Sequence, residues 1–451
     1  MTVNTYKEIT SKLREIIKDT KWENHLFTVG GCNRDMIMGG FKIKDVDLVC
    51  DLPNGGIEFA KWLEDNNYTT SSVVTYENFG TAMFHLKAFP DIELEIVHTR
   101  KECYHDAKSR NPETSYGTLK EDWTRRDFTI NAIYYDISND LMIDFENRGV
   151  NDINEGIIRT CGNPEIIFKE DPLRCLRMVR FASRYDFEIE DNTFKCAKNF
   201  VERLEIISKE RITDEFTKMM TYSNSSAQKS LCFLYDLGAF QFIIPELHEC
   251  GVYTLFNVTE ELKLIYKSDI VLILTKLLFH CNNTSFKNKS EYIKYILQKT
   301  LIYSNDVVNE VIFLTEMNEK LYKLCSDISV SLYEHSYEVR RIMNLCGSKE
   351  RFYNATVCGS IRVFEEFHDG DNWSSLFDEF DEKDSLFYTY KLPIDGNDVM
   401  EFFNIEPSKK VKKILDKVFT FVLINTDKTS KEDCMNYLKY LKKTEDEWGE
   451  F

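Results

Sequence analysis

The sequence predicts an α+β chain, with a mixed sheet and helices in its first third and helices alone in the rest. Three observations predict it. Between Phe27 and His98, apolar and polar residues alternate in short runs, as in strands covered on one face. From Pro164 onward, apolar residues recur at helical spacing. Glycine and proline, which punctuate turns, number only 18 and 8 in 451 residues, few for a chain made mostly of strands. That length exceeds what one core organises, and a 43% hydrophobic composition is ample for several.

Composition narrows the function classes. A formal net charge of −18 argues against broad, non-specific nucleic-acid binding. It leaves room for a local basic groove that holds one shaped RNA. No uncharged apolar run is long enough to span a bilayer, so no membrane partner is expected. The opening MTVNTYKEITSKLREIIKDT lacks an apolar signal core. It reads as an amphipathic helix with Tyr6, Ile9, Leu13, Ile16 and Ile17 on one side, and a cytoplasmic protein is the expectation. Thirteen cysteines contain no C-x-x-C pair, the pattern of reduced, buried thiols rather than of disulfides or zinc ligands.

The chain is organised around Phe27 to Cys50, FTVGGCNRDMIMGGFKIKDVDLVC. It reads as strand, glycine turn, short helix, glycine turn, strand. Asp45 and Asp47 stand two apart in the second strand, so their carboxylates share one face while Val46, Leu48 and Cys50 take the other. Adjacent carboxylates repel unless a cation lies between them, and a hard divalent ion with oxygen ligands, usually magnesium, fits. Gly30 and Gly31 let the backbone approach a phosphate, and the helix start offers free N–H groups. Arg34, in the first helical turn, suits a phosphate. The group suggests a site for a magnesium-bound nucleoside triphosphate; solvated strand-end aspartates are the plainer alternative.

Gly56 to Asn67 reads as a helix, and VVTYENFGTAMFHL as a hairpin turning near Asn78-Phe79-Gly80. Ile92 to His98 is a strand with Glu93 and Glu95 on one face, by spacing alone a solvent face. Lys101 to Glu121 is polar, turn-rich and aperiodic, the pattern of a mobile loop. In DWTRRDFTINAIYYD, Asp122 to Asp136, the run Arg125-Arg126-Asp127 could be a surface ion-pair cluster. It opens an apolar strand, Ile130 to Tyr135, that returns the chain to the sheet. A helix starts at Asp171-Pro172 and runs to about Tyr185, with Leu173, Leu176, Val179 and Ala182 on its apolar side. Asp171, Arg174, Arg177 and Arg180 recur every three residues as a drifting stripe on the other side. Asp171 reads as a helix cap or as an acceptor for a base's exocyclic amine, with an arginine donating to the ring acceptor beside it.

Beyond Gly251 the signals thin. The apolar run DIVLILTKLLFH ends in His280-Cys281-Asn282, without the His-Asp pair of a metal-dependent phosphohydrolase. Val363 to Glu382 is acidic and reads as a solvated linker. Lys409, Lys410, Lys412 and Lys413 form either a solvated helix face or a contact for an RNA backbone.

The motifs resemble those of the nucleotidyltransferase superfamily, in the form G-G-x-x-R-D … D-x-D. More narrowly they are similar to those of the class II CCA-adding tRNA nucleotidyltransferases and the related bacterial poly(A) polymerases. Glu95 to Arg100 (EIVHTR) resembles the family's E-[VI]-x-x-x-[RK] strand, which implies Glu95, rather than Glu93, as a third carboxylate. Arg110-Asn111-Pro112 is similar to the R-x-P of the family's flexible loop. Arg125 to Ala132 (RRDFTINA) matches over eight residues and is the most specific signal. Glu170 to Arg174 (EDPLR) resembles the base-selecting E-D-x-x-R, and Ser208 to Glu215 the S-x-E-R-[IM]-x-x-E segment that braces it. Asn33 stands where an aliphatic residue is usual, a departure expected to touch helix packing more than chemistry.

The resemblance implies a polymerase-β-like catalytic head over 1–150, a base-reading neck over 151–220, a helical body over 221–370 and a helical, tRNA-binding tail over 371–451. It implies template-independent addition of C, C and A to the tRNA 3′ end from CTP and ATP. Asp45 and Asp47 would hold Mg2+ and Glu95 would complete the catalytic set. Gly30, Gly31, Arg34 and Arg126 would bind the nucleotide's phosphates and sugar. Asp171 and Arg174 would choose the base, with Arg177 and Arg180 supporting them or the triphosphate. Arg110 would reach the nucleotide from the loop, and the four lysines would hold tRNA. An A-adding enzyme, a poly(A) polymerase and a CC-only enzyme, the last disfavoured by the long loop over 101–121, are the alternatives within the family, and a non-catalytic RNA-binding protein on the same scaffold is the one outside it. The missing basic tail and the missing G-R-R-F segment weigh against poly(A) synthesis, and the clustered carboxylates against a retired scaffold.

Overall fold

The structure, a computed structural model, describes residues 2–40, 46–77, 80–103, 113–248, 259, 262, 267–279, 281, 285–326, 336–357 and 383–448. The chain divides into two compact units, Met1–Gly251 with Thr300–Ile302, and Val252–Lys299 with Tyr303–Phe451. The first takes in the expected head and neck.

Helix α1 (Val3–Ile17) buries Tyr6, Ile9, Leu13, Ile16 and Ile17, the stripe its spacing predicts. There follow β1 (Leu26–Val29), α2 (Gly31–Ile37), β2 (Val46–Cys50), α3 (Gly55–Asp65), β3 (Val74–Tyr76), β4 (Thr81–His85) and β5 (Glu93–His98). After them come β6 (Arg100–Cys103), β7 (Glu113–Tyr116), α4 (Leu119–Arg125), β8 (Tyr134–Asp136) and β9 (Leu141–Ile143). Seven strands form one sheet in the order β3-β4-β5-β2-β1-β8-β9. All neighbours are antiparallel except β2 and β5, which run parallel. Period-two alternation sorts the side chains. Val46, Leu48, Cys50, Leu94 and Ile96 join α1 and α3 in one core, while Phe27, Val29 and Val49 pack on the opposite face with Trp123 and Tyr134.

Two expectations need correction here. Lys101 to Glu121 is not a structureless loop throughout: β6 and β7 pair as a two-stranded ribbon, Arg100 opposite Tyr116. Helix α4 then begins at a reciprocal capping box between Thr118 and Glu121. Cross-strand pairing satisfies backbone groups whatever the side chains, so a polar, aperiodic stretch conceals the ribbon, whereas the cap was readable as Thr118-x-x-Glu121. Arg110 lies outside the described residues. The strand expected over Ile130–Tyr135 begins only at Tyr134, because Thr129–Asn131 forms a 3-10 turn. Ile130, Ala132 and Ile133 are apolar because they are buried, not because they are in a ladder.

The first unit continues with α5 (Arg148–Glu155), β10 (Ile157–Ile158), α6 (Pro164–Glu170), α7 (Leu173–Tyr185), β11 (Glu188–Ile189), α8 (Asp191–Phe200), α9 (Lys209–Thr221), α10 (Asn224–Leu237) and α11 (Phe240–Ile243). Helix α7 buries Leu173, Leu176, Val179 and Ala182, as expected, and packs on α9 and α10.

The described part of the second unit is helical. It contains α12 (Ile270–Phe279), α13 (Lys289–Tyr295), α14 (Asn305–Ser326), α15 (Ser336–Cys346), α16 (Lys349–Val357), α17 (Gly396–Phe403), α18 (Lys409–Ile424) and α19 (Lys431–Trp448). In α18 the stripe Val411, Ile414, Val418 and Val422 is buried, which leaves Lys409, Lys412 and Lys413 exposed and Lys410 half-buried. His280 and the acidic stretch 363–382 lie outside the described residues. No described helix is long and apolar enough to cross a membrane.

Candidate active site

The site is built on the edge where β1 turns into α2. Gly30 has φ +88°, ψ −139°, a backbone region essentially closed to side chains. A Cβ there would lie 3.1 Å from Asp47 Oδ2, and one at Gly31 would lie 3.3 Å from Arg34 Nη2. Both glycines therefore serve close approach. Asp47, on β2, is opposite Val29 on β1 and in register with Glu95 on β5. In a parallel pair, residues in register point to the same face, so Asp47 and Glu95 stand side by side, both exposed. This oxygen-only pair suits a hard divalent cation. Asp45 lies outside the described residues.

Behind the turn sits a polar cluster the sequence reading undervalued. Asn33 is fully buried. Its Nδ2 donates to the Thr28 carbonyl at 3.1 Å and the Ile133 carbonyl at 2.9 Å. Its Oδ1 accepts from Tyr6 Oη at 2.8 Å and Thr28 Oγ1 at 2.9 Å. Asn33 thus ties α1, β1 and the R-R-D segment together under the glycine turn, a wider role than the effect on helix packing that was expected of it. Only the departure from an aliphatic residue hinted at it.

Arg34 is also buried. It pairs with Asp35 at 2.7 Å, donates to Asn131 Oδ1, and lies 4.7 Å from the Tyr185 ring centroid. The expected phosphate contact would thus come from a side chain already held at several points. Tyr185 Oη is 3.3 Å from Asp35 Oδ1, so the last turn of α7 is fastened to α2. Burial pushes the Tyr185 hydroxyl up to about 12, and it stays a neutral donor.

Two buried carboxylates organise the R-R-D segment. Asp122 accepts from Arg125 Nε at 2.9 Å, Arg126 Nε at 2.9 Å and Tyr134 Oη at 2.8 Å. Burial alone would raise its pKa, but the two guanidiniums outweigh burial and hold it at about 2. Its spacing of three and four residues from the arginines was the available signal. Asp127 accepts from Phe128 N at 2.8 Å, Asn131 Nδ2 at 3.3 Å and Arg177 at 2.6 Å. Here too burial opposes ionisation, and Arg177 overrides it to leave the carboxyl at about 2. Arg126 stands over the Tyr134 ring at 5.3 Å, oriented by Asp122.

The stripe on α7 is resolved residue by residue. Arg177 joins Asp127 and lies 3.8 Å from Glu215; Arg180 meets Glu215 at 2.6 Å. Glu215, buried on α9, closes the quoted S-x-E-R-I-x-x-E segment yet was not singled out. Asp171 ends α6; its Oδ1 accepts from Leu173 N at 3.1 Å and its Oδ2 from Arg211 at 2.8 Å. Arg174 donates to the Arg125 carbonyl at 2.8 Å and the Ile167 carbonyl at 3.0 Å. Asp47, Glu95, Arg34, Arg126, Asp171, Arg174, Arg177 and Arg180 all lie in the first unit, whereas the lysines of α18 lie in the second.

Comparison with known proteins gives the same direction. Residues 26–159 match the family described as "Poly A polymerase head domain", and residues 186–250 the one described as "Probable RNA and SrmB- binding site of polymerase A". The chain is 27% identical to tRNA nucleotidyltransferase cca2 of Schizosaccharomyces pombe over 92% of each chain. It is 30% identical to a CCA-adding enzyme of Staphylococcus aureus (strain MRSA252), over 73% of this chain and 74% of that one. The solved structure of the Bacillus stearothermophilus CCA-adding enzyme in complex with CTP shares its fold, with a TM-score of 0.68 at 22% identity over 98% of both chains. The chain belongs to the family of CCA-adding tRNA nucleotidyltransferases.

Proposed function

We infer that this protein adds C, C and A to the 3′ end of tRNA, taking CTP and ATP and releasing pyrophosphate. The observation that carries the reading is the side-by-side placement of Asp47 and Glu95 against a glycine turn that admits no side chain. The tRNA 3′-hydroxyl attacks the α-phosphate of the bound nucleotide. Asp45 and Asp47 would hold magnesium, and Glu95 would complete the carboxylate set. A metal held there would supply a lowered pKa for the attacking hydroxyl and neutralisation of charge on the leaving oxygens. Gly30 and Gly31 admit the triphosphate, and Arg126, aimed by Asp122, and Arg34 supply positive charge around it.

Asp171 and Arg174 read the base. Cytosine and adenine each offer an amine beside a ring acceptor, so a carboxylate and a guanidinium accept both and reject guanine and uracil. Arg177 and Arg180 fix α7 against Asp127 and Glu215, which supports that pair. Arg110 reaches the nucleotide from the segment between β6 and β7. Lys409, Lys410, Lys412 and Lys413 contact the tRNA backbone, within a head, neck, body and tail division of labour. Free, buried cysteines such as Cys32, Cys50, Cys161, Cys175, Cys281 and Cys346 favour a reducing, cytoplasmic setting.

The test is nucleotide incorporation into three matched tRNAs ending before CCA, after C and after CC, with wild type and Asp47→Ala. Stepwise C, C, A addition that stops, and is lost in the variant, is the expected result. Addition of A to the CC-ended tRNA alone would make this an A-adding enzyme, and a long A ladder a poly(A) polymerase. No incorporation by folded wild type would leave only the non-catalytic reading.

A further inference from the structure

Two arginines stand near the carboxylate assigned to the base, and one of them holds it. Arg174 is directed elsewhere: Nη1 to the Ile167 carbonyl and, at 3.3 Å, Glu170 Oε2, and Nη2 to the Arg125 carbonyl. Asp171 is gripped from α9 by Arg211 Nη2 at 2.8 Å. That pair is open to water, with side-chain exposures of 49% and 29%, so it contributes little to folding. Nor is it needed to join the helices, since buried Glu215 on the same α9 already binds Arg180 of α7 at 2.6 Å. What Arg211 adds is the direction in which the Asp171 carboxylate faces.

Taking Asp171 as the base acceptor, on which the inference rests, we propose that Arg211 is a specificity-determining positioning residue. A carboxylate has about four acceptor directions, two on each oxygen. Leu173 N–H takes one on Oδ1 and Arg211 takes one on Oδ2, so the plane of the group is fixed from both ends. The remaining direction on each oxygen is free to meet an amine N–H. Cytosine and adenine bring that donor, whereas uracil and guanine bring a carbonyl, which meets an acceptor with an acceptor. Without Arg211 the carboxylate keeps only its Leu173 tether and pivots about its side-chain torsions. The amine is then met in a fraction of bound geometries, and the wrong carbonyl is no longer held against an oxygen. The loss falls on discrimination between bases, while the triphosphate and the reacting atoms are handled by other residues.

The experiment measures kcat/KM of the full chain for CTP against UTP on the tRNA lacking CCA, and for ATP against GTP on the CC-ended tRNA. Wild type, Arg211→Ala, Arg211→Lys and Asp171→Ala are compared, with thermal melting of each. Arg211→Met, which keeps an aliphatic stem but no donor, replaces the alanine variant should that one melt early. Arg211→Ala is expected to lose about ten-fold in both ratios, the scale of weakening one hydrogen bond to a charged group, with an unchanged melting point. Arg211→Lys should restore part of the ratio, since an ammonium replaces the contact without the planar fork. Wild-type ratios in Arg211→Ala, or equal falls for right and wrong nucleotides, would overturn the proposal, and if Asp171→Ala lost its ratio the base reading would stand. Wild-type ratios in Asp171→Ala would overturn the base reading, and Arg211 with it.

Discussion

Replacing Asn33 with leucine tests how the catalytic turn is held. The side chain is fully buried and makes four hydrogen bonds to Tyr6, Thr28 and the Ile133 carbonyl. Asn33→Leu deletes both donors and the acceptor at a fully buried site. Tyr6 Oη and Thr28 Oγ1, 2.7 Å apart, still bond each other, but only one of their two protons can serve that bond. One hydroxyl proton and one or two carbonyls are left unsatisfied, at about 1–3 kcal/mol each. The added apolar burial returns roughly 1 kcal/mol. The expected net loss is about 3 kcal/mol, confined to the region that includes β1 and α2. Adding Tyr6→Phe removes the stranded hydroxyl and should recover about 1 kcal/mol, because deleting both partners of a buried bond costs less than deleting one.

A chain of two compact units does not unfold as one step. Native-state hydrogen exchange of the β1 and α2 amides is therefore the assay, as it reports local opening free energies. A loss within about 0.5 kcal/mol, the range of a neutral surface change, or no recovery on adding Tyr6→Phe, would refute the reasoning. Position 33 would then be a plain packing site, as the aliphatic residue usual in the family suggests.

Gly30→Ala forces a side chain onto a backbone at φ +88° and places its Cβ 3.1 Å from Asp47 Oδ2. The strain is about 1–3 kcal/mol, and displacement of the carboxylate should lower kcat about hundred-fold while the opening free energy of the β1 and α2 amides falls only by that strain; parallel turnover and hydrogen-exchange measurements check it. Asp122 and Asp127 titrate at about 2 when folded, against roughly 3.9 unfolded. A depressed folded pKa gives stability that is complete above about pH 4 and is lost as pH falls through 2, roughly 2 kcal/mol for each carboxylate. Hydrogen exchange of the β1 and β8 amides from pH 5 down to 2 should show that loss, and Asp127→Asn, which cannot titrate, should lose about half of the acid sensitivity.

By itself the sequence determined whatever depends on residues close together. Period-two runs placed Val46, Leu48 and Cys50 in the core with Asp47 on the other face, and 3.6-residue spacing set the buried sides of α1, α7 and α18. Gly30-Gly31 and the R-R-D segment marked the site because each is a local motif. Only the tertiary structure decided which segments meet. Spacing alone made Glu93 and Glu95 equal, and the parallel register of β2 with β5 set Glu95 beside Asp47. The pairing of β6 with β7 was invisible because backbone hydrogen bonds between strands impose no side-chain pattern. The stripe on α7 showed where Arg177 and Arg180 lie on their own helix, but not that Asp127 and Glu215 would meet them from 50 and 35 residues away. Asn33 was the hardest to read, since a buried amide becomes a hub only when α1, β1 and Ile133 converge on it. Periodicity records which face of an element is buried; the partners across that face come from packing between distant segments.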